Sequence, residues 1–267
     1  MHSSPKVVLC LDEFKQFVNK CKIDNSALLP CVNSLFENNV YENTTQKSRI
    51  EILDGHLSMI SASTIDTWQN IWTSQFTSIG FNNRLFLVPG RGERKYSFPP
   101  SVPQEKINEL CSRLLSIIST FNSRTNLEID SSALEIFDQW YLNLQNSVHS
   151  KRLDTYALRF LPLLAVNDDK SEVDTETVIK AIRLCDWQFQ VRGLYDPIDA
   201  DNKMAEMEEK IRRVLSTGAK DERKIKQRTN YQRAGIWFFN TAFSNLKRNN
   251  EIRKIRSNKR SEWELVS

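Results

Sequence analysis

Glycine is scarce, with seven residues in 267, and none of them is followed by lysine. The chain therefore lacks a Gly-x-x-x-x-Gly-Lys-Ser/Thr stretch, the loop whose backbone amides cradle nucleotide phosphates. Histidine is rarer still. His2, His56 and His149 lie far apart, and none is expected to bind a metal. The five cysteines (Cys10, Cys21, Cys31, Cys111, Cys185) are odd in number and include no Cys-x-x-Cys pair. That argues against a zinc site or a disulfide framework and for reduced thiols in a cytoplasm. No apolar run approaches the ~18 residues of a membrane span. Met-His-Ser-Ser-Pro at the start has no basic segment leading into an apolar one, so no secretory leader is expected. What remains is an ordinary soluble composition, long enough for one large domain or two to three small ones.

Against these absences stands Lys6 to Glu13, Lys-Val-Val-Leu-Cys-Leu-Asp-Glu. Five consecutive apolar residues suit a strand buried on both faces of a parallel sheet. Asp12 and Glu13 then fall at its C-terminal end, where open α/β sheets hold ligands. This is the Walker B arrangement of P-loop ATPases, with Asp12 serving Mg²⁺ and Glu13 polarising the attacking water. The plain alternative is a core strand ending in a solvated acidic turn.

Apolar residues from Phe14 to Leu35 recur at spacings of three and four and predict helix, interrupted near Pro30. Asn38 to Asp54 reads as a hairpin with its tip at Thr44–Lys47. Lys47 and Arg49 near that tip could touch a nucleic-acid backbone or simply belong to a polar turn. His56 to Ser63 reads as a second buried strand ending in hydroxyls at the same edge as Asp12. Ser63 and Thr64 are candidate phosphate sensors, and either also suits the N-cap of the following helix. That helix runs through Ile65, Trp68, Ile71, Trp72 and Phe76. Gly80 stops it. Arg84 then opens a third buried run, Leu85–Val88, and is a candidate arginine finger or an ordinary surface arginine. Residues 89–103, rich in Pro, Gly and charge, read as a linker.

Residues 104–201 predict about four helices, whose apolar stripes read as bundle core. The tail from 204 onward predicts three helices and two short extended arms around a basic turn. That is a winged-helix pattern, in which the third helix enters the major groove and the wing touches phosphates. Its phosphate contacts would be Lys247, Arg248, Arg253, Lys254, Arg256, Lys259 and Arg260. From Asp221 to Arg260 there are twelve Lys/Arg against three Asp/Glu, a net of +9 in a chain of net +4. Such a block on a mildly acidic body favours an anionic partner such as nucleic acid, DNA first, against the plain reading of a solubilising basic face.

In their order, the acid-ended strand, the Leu57–Thr64 strand and Gly80-Phe-Asn-Asn-Arg-Leu-Phe-Leu-Val88 resemble the C-terminal half of the P-loop ATPase domain of mobile-element primase-helicases. Arg152 to Leu161 and Val173 to Leu184 resemble the lid helices of MCM-type replicative helicases. By that resemblance Arg159 is the nucleotide-sensing arginine, with Arg152 the alternative. The resemblance implies an α/β plus α architecture in three parts: a partial P-loop sheet (1–103), a helical lid (104–202) and a winged-helix-like domain (203–267). It implies a helicase-type ATPase of mobile-element or phage replication that uses ATP and Mg²⁺ and acts as a ring of identical subunits. The missing phosphate loop departs from the family. Only five residues precede Lys6, so the chain is expected to be a C-terminal piece of a longer or split protein, or a degenerate relative, and not to hydrolyse ATP alone. The alternative is a non-enzymatic winged-helix DNA-binding protein.

Overall fold

The computed structural model describes residues 5–44, 49–90, 92–93, 95–98, 100–121, 126–198, 203–257 and 260–266. It mixes helix with small two-stranded pairings and divides into two compact units: residues 1–82 with 194–267, and residues 83–193.

In the first unit the apolar run forms β1 (Lys6–Leu11), followed by α1 (Phe14–Cys21) and α2 (Leu28–Glu37). The helix break lies at residues 22–27, where Asn25 takes a left-handed conformation (φ 61°). It does not fall at Pro30, which sits in the first turn of α2, where the missing N–H has no intrahelical partner to lose. A hairpin of β2 (Tyr41–Thr44) and β3 (Arg49–Ile52) follows, then β4 (His56–Ser61). β4 runs parallel to β1 with Lys6 opposite His56 and Leu11 opposite Ser61. The expected burial on both faces does not hold: no residue of either strand is buried, and Val7, Val8 and Ile60 are exposed, because a pair alone among the described residues has no layer packed over both faces.

Next come α3 (Ile65–Ile71) and a single turn, α4 (Ser74–Thr77). Gly80 (φ 65°) ends it in a Schellman arrangement: Phe81 N–H donates to Phe76 C=O and Gly80 N–H to Thr77 C=O. Phe81 thereby swings into an aromatic cluster with Phe14, Phe17, Trp72 and Phe76, whose ring centroids lie 5.4–6.3 Å from its own. This cluster anchors α1 and the segment after β4.

The expected third strand does not form. Asn82–Arg84 is a 3₁₀ turn and 85–90 carry no strand. The backbone there is satisfied by side chains of a helix: Leu87 N–H donates to Gln188 Oε1, and the Arg192 guanidinium takes the carbonyls of Asn83 and Leu85. An apolar run becomes a strand only when another strand's ladder takes its amides and carbonyls.

The second unit holds α5 (Gln104–Thr120), β5 (Glu128–Ile129), α6 (Ser131–Leu142), α7 (Leu153–Asn167), β6 (Glu172–Val173) and α8 (Thr175–Tyr195). Its core gathers Ala133, Leu161, Ala165, Val173, Val178 and Ala181. Asp130 caps α6 by accepting from Ser132 and Ala133 N–H. One expectation fails: the stripe of α5 is not core. No residue of α5 is buried, and Ile107, Leu110, Leu114, Leu115 and Ile118 are all exposed.

Asp174 precedes α8 and accepts from Thr177 N–H (2.9 Å) and Lys170 Nζ (2.7 Å). Lys170 Nζ also reaches Glu176, and Lys180 bridges Glu176 and Asp168. The Lys170 ammonium, then the Thr177 hydroxyl and amide, hold the Asp174 carboxyl below its ordinary range. A carboxyl depressed in the folded state contributes its full stability above the unfolded value of about 3.9 and loses it as pH falls further. Urea midpoints of the helical unit should therefore drop between about pH 5 and pH 2. Asp174→Asn should lower the midpoint at pH 7 and make the acid decline shallower. An unchanged slope would remove Asp174 as the titrating group.

The tail contains α9 (Lys203–Ser216), α10 (Glu222–Arg228), α11 (Tyr231–Ala234), α12 (Ile236–Arg248), β7 (Ile252–Ser257) and β8 (Arg260–Leu265). β7 and β8 are antiparallel, and Lys220 bridges Trp263 with paired backbone bonds of 3.0 and 2.8 Å. Met207, Ile211, Ile225, Phe239, Phe243, Leu246 and Ile252 form its core.

Candidate functional site

Parallel, in-register pairing makes β1 and β4 end together. Two bonds pin their exits: Ser61 Oγ donates to Leu11 C=O, and Phe14 N–H donates to Ala62 C=O, both at 2.8 Å. Asp12 and Glu13 thus leave the pair beside Ala62–Thr64, at one rim, and both acids are exposed. Glu13 holds the N-cap position of α1 without a side-chain capping bond.

Oxygen donors of this kind suit Mg²⁺, which is held through one or two carboxylates together with substrate phosphates. Among the described residues there is no group of three or more His, Cys, Asp or Glu that could hold a metal by itself. The hydroxyls at this rim are committed locally. Thr64 Oγ1 accepts from Thr67 N–H as the cap of α3 and donates to Thr67 Oγ1, while Ser63 Oγ donates to Thr64 C=O. Either proton would have to leave its present acceptor before it could be given to a phosphate.

The arginines singled out for nucleotide, Arg84, Arg152 and Arg159, lie in the helical unit. Arg152 precedes α7 in a left-handed conformation (φ 66°), and Arg159 lies two turns along the same helix. Tyr156 sits between them, buried, with Phe86 packed 5.4 Å from it. Burial pushes the Tyr156 hydroxyl up to about 12, against the charges of Arg192, Arg159, Arg152 and Arg84. Arg84, Arg152 and Arg159 all act on the charge of one tyrosine, a coupling that sequence spacing did not reveal.

Arg192 was missed altogether. It is fully buried and donates to the carbonyls of Lys151 (2.7 Å), Asn83 (2.9 Å), His149 (3.2 Å) and Leu85 (3.4 Å). One signal could have found it: it continues the inward stripe Thr177, Ala181, Cys185 and Gln188 at helical spacing.

The basic candidates differ in how free they are. Arg49 pairs with Glu42 (3.0 Å) and Glu51 (3.6 Å) on the exposed hairpin. Lys247 Nζ sits over the rings of Phe243 (4.7 Å) and Trp263 (4.6 Å). Arg248 donates to Asn245, and Arg253 pairs with Glu264 across the hairpin (2.7 Å). Lys254 is exposed and has no acidic partner among the described residues. Arg256 and Arg260 occupy β7 and β8, and no side-chain description extends to them. Lys47 and Lys259 lie outside the described residues.

Two groups were overlooked. Arg223, Arg228 and Arg233 are exposed without acidic partners among the described residues. The outward face of α12 presents Trp237, Asn240 and Ser244, and counting cations alone does not reveal it. Among the described residues no helix is long and apolar enough to cross a membrane. No protein-family model matches the chain, and none of the curated proteins matches it.

Proposed function

We propose that the chain is the nucleic-acid-binding, C-terminal part of an ATP-driven helicase of the primase-helicase type, acting on DNA in replication of a mobile element or phage. The observation that carries this reading is the β1–β4 pair. Parallel strands ordinarily lie inside a larger sheet with both faces covered. Here Val8 and Ile60 are each 66% exposed, and neither strand has a further neighbour among the described residues. Two carboxylates stand at the rim of a sheet that has room for more strands.

In this reading further strands, one of them leading into a phosphate loop, complete the sheet. ATP with Mg²⁺ supplies the phosphoryl chemistry when bound. Asp12 would hold the metal through its water shell and Glu13 would orient the attacking water. Ser63 or Thr64 would report the phosphate after releasing its present acceptor. Arg84 would act on a neighbouring subunit of a head-to-tail ring, and Arg159 or Arg152 would sense nucleotide. The tail, a winged-helix-like module in this reading, would hold DNA.

The chain alone should show no Mg²⁺-dependent ATP turnover, and joining it to a phosphate-loop segment should restore turnover. Glu13→Gln should then abolish hydrolysis, and Arg84→Ala should lose hydrolysis while keeping nucleotide binding. Restored hydrolysis that survives Glu13→Gln would sink the motor reading.

A second reading, a non-enzymatic winged-helix DNA-binding protein, is favoured by the exposed, acid-free Arg223, Arg228, Arg233 and Lys254, which do not depend on Asp12 or Glu13. Both readings expect log affinity for duplex DNA to fall with log salt by about 0.9 per phosphate neutralised. Arg228→Glu with Lys254→Glu should flatten that slope by about two phosphates' worth. An unchanged slope would remove the tail from either account.

A further inference from the structure

The described surface of the tail has one large apolar protrusion, at the first turn of α12. Gly235 (φ 109°) separates α11 from α12, and a Cβ there would stand 3.0 Å from the Phe238 ring. The tight turn sends Phe239, Ala242, Phe243 and Leu246 inward. Ile236 and Trp237 are left outside, 55% and 65% exposed. The indole is braced: Phe238 meets it edge-on at 5.1 Å, and Lys203 Nζ lies 5.9 Å from the Phe238 ring. Arg233 lies four residues ahead, exposed and without an acidic partner among the described residues, and Asn240 follows one turn on.

An exposed flat aromatic face with a lysine at the ring that braces it has a natural complement, a base whose own face is free and whose phosphate is nearby. A duplex groove offers only base edges, so an indole cannot stack there. Protein interface cores are depleted of lysine, and Lys203 stands at this turn. Resting on the nucleic-acid reading above, we propose that Trp237 is a stacking platform for an unpaired base of single-stranded nucleic acid, with Lys203 and Arg233 receiving the adjoining phosphates.

The test uses the full chain with a labelled 20-nucleotide oligo(dT) and a labelled 20-base-pair blunt duplex, read by fluorescence anisotropy across a salt series. Trp237→Ala should weaken oligo(dT) binding about tenfold or more, the loss typical of one stacked base. Trp237→Phe should retain affinity within about threefold, because the ring face remains. Any loss on the duplex should be several-fold smaller than that on oligo(dT), and both salt slopes should stay unchanged, since no charge is removed. Photocrosslinking of an oligonucleotide carrying 5-iodouracil to the wild-type chain should place an adduct on Trp237, which keeps the proposal testable if the alanine variant misfolds.

Oligo(dT) affinity unaltered by Trp237→Ala would overturn the platform, as would equal losses on both ligands or adducts confined to other residues. So would a wild-type oligomer that Trp237→Ala converts to monomer, since the indole would then serve a protein contact. In each of those cases salt-dependent binding by the wild type leaves the nucleic-acid reading standing. Wild-type chain that binds neither ligand with salt dependence would remove that reading and the platform with it.

Discussion

Phe239→Ala is expected to unfold the tail. The ring is fully buried at the centre of a core shared by α9, α10, α12 and β7, stacked on Phe243 at 5.5 Å and edge-on to Tyr231 at 5.8 Å. Truncating a buried phenylalanine costs about 3–5 kcal/mol from lost transfer energy plus the cavity left behind. A core drawn from some 60 residues rarely supplies more than about 3–5 kcal/mol in all, so the loss consumes the whole margin. Hydrogen exchange read by mass spectrometry should show α12 and the β7–β8 hairpin losing protection while α7 and α8 keep theirs. The nucleic-acid binding proposed for the tail should go with it. Protection of α12 equal to wild type would show that the tail draws its stability from elsewhere.

Arg192→Met is expected to be as damaging in the helical unit. Methionine fills much of the same volume but donates nothing. Four carbonyl oxygens, from Asn83, Leu85, His149 and Lys151, would lose the guanidinium N–H groups. An orphaned buried acceptor costs about 1–3 kcal/mol. With partial rescue by water, a total of roughly 3–5 kcal/mol is expected, the usual scale for breaking a buried charged network. Arg192→Lys should recover only part of this, because an ammonium is a compact point donor and cannot reproduce the planar fork that spans both segments. Urea denaturation should rank the three as Arg, then Lys, then Met. Exchange at Leu87, whose N–H is held by Gln188, should quicken first. A methionine variant as stable as wild type would mean that the two segments are held by other contacts.

These two residues also mark what can and cannot be read from the chain alone. Local pattern carried the strand ending in Asp12 and Glu13, the stop at Gly80 and the helices and paired arms of the tail. Each depends on neighbours within a few positions. Arg192 depends on partners 41 to 109 residues away, and no window reaches them. Leu85–Val88 has the composition of a strand, but composition does not say whether another strand stands beside it. The periodicity of α5 states which of its sides is apolar, not whether anything covers that side. At the rim, the sequence placed Asp12 and Glu13 next to the hydroxyls of β4's exit, while the local bonds that occupy Ser63 and Thr64 became visible only in three dimensions. Trp237 was passed over because cation counting ignores aromatic residues, although the two together make the recognition surface proposed for the tail.

α5 has a mechanical consequence. At 1.5 Å per residue its 17 residues reach about 25 Å. Described contacts tie it to the other helices through a hydrogen bond from Arg113 to the Asn167 carbonyl (2.9 Å). A helix of this length in water is close to the coil threshold on propensity alone. Its rigidity is thus borrowed from whatever lies along it: bare, it would fluctuate as a loosely hinged arm, and once covered it would stiffen into a lever as long as a small domain is wide.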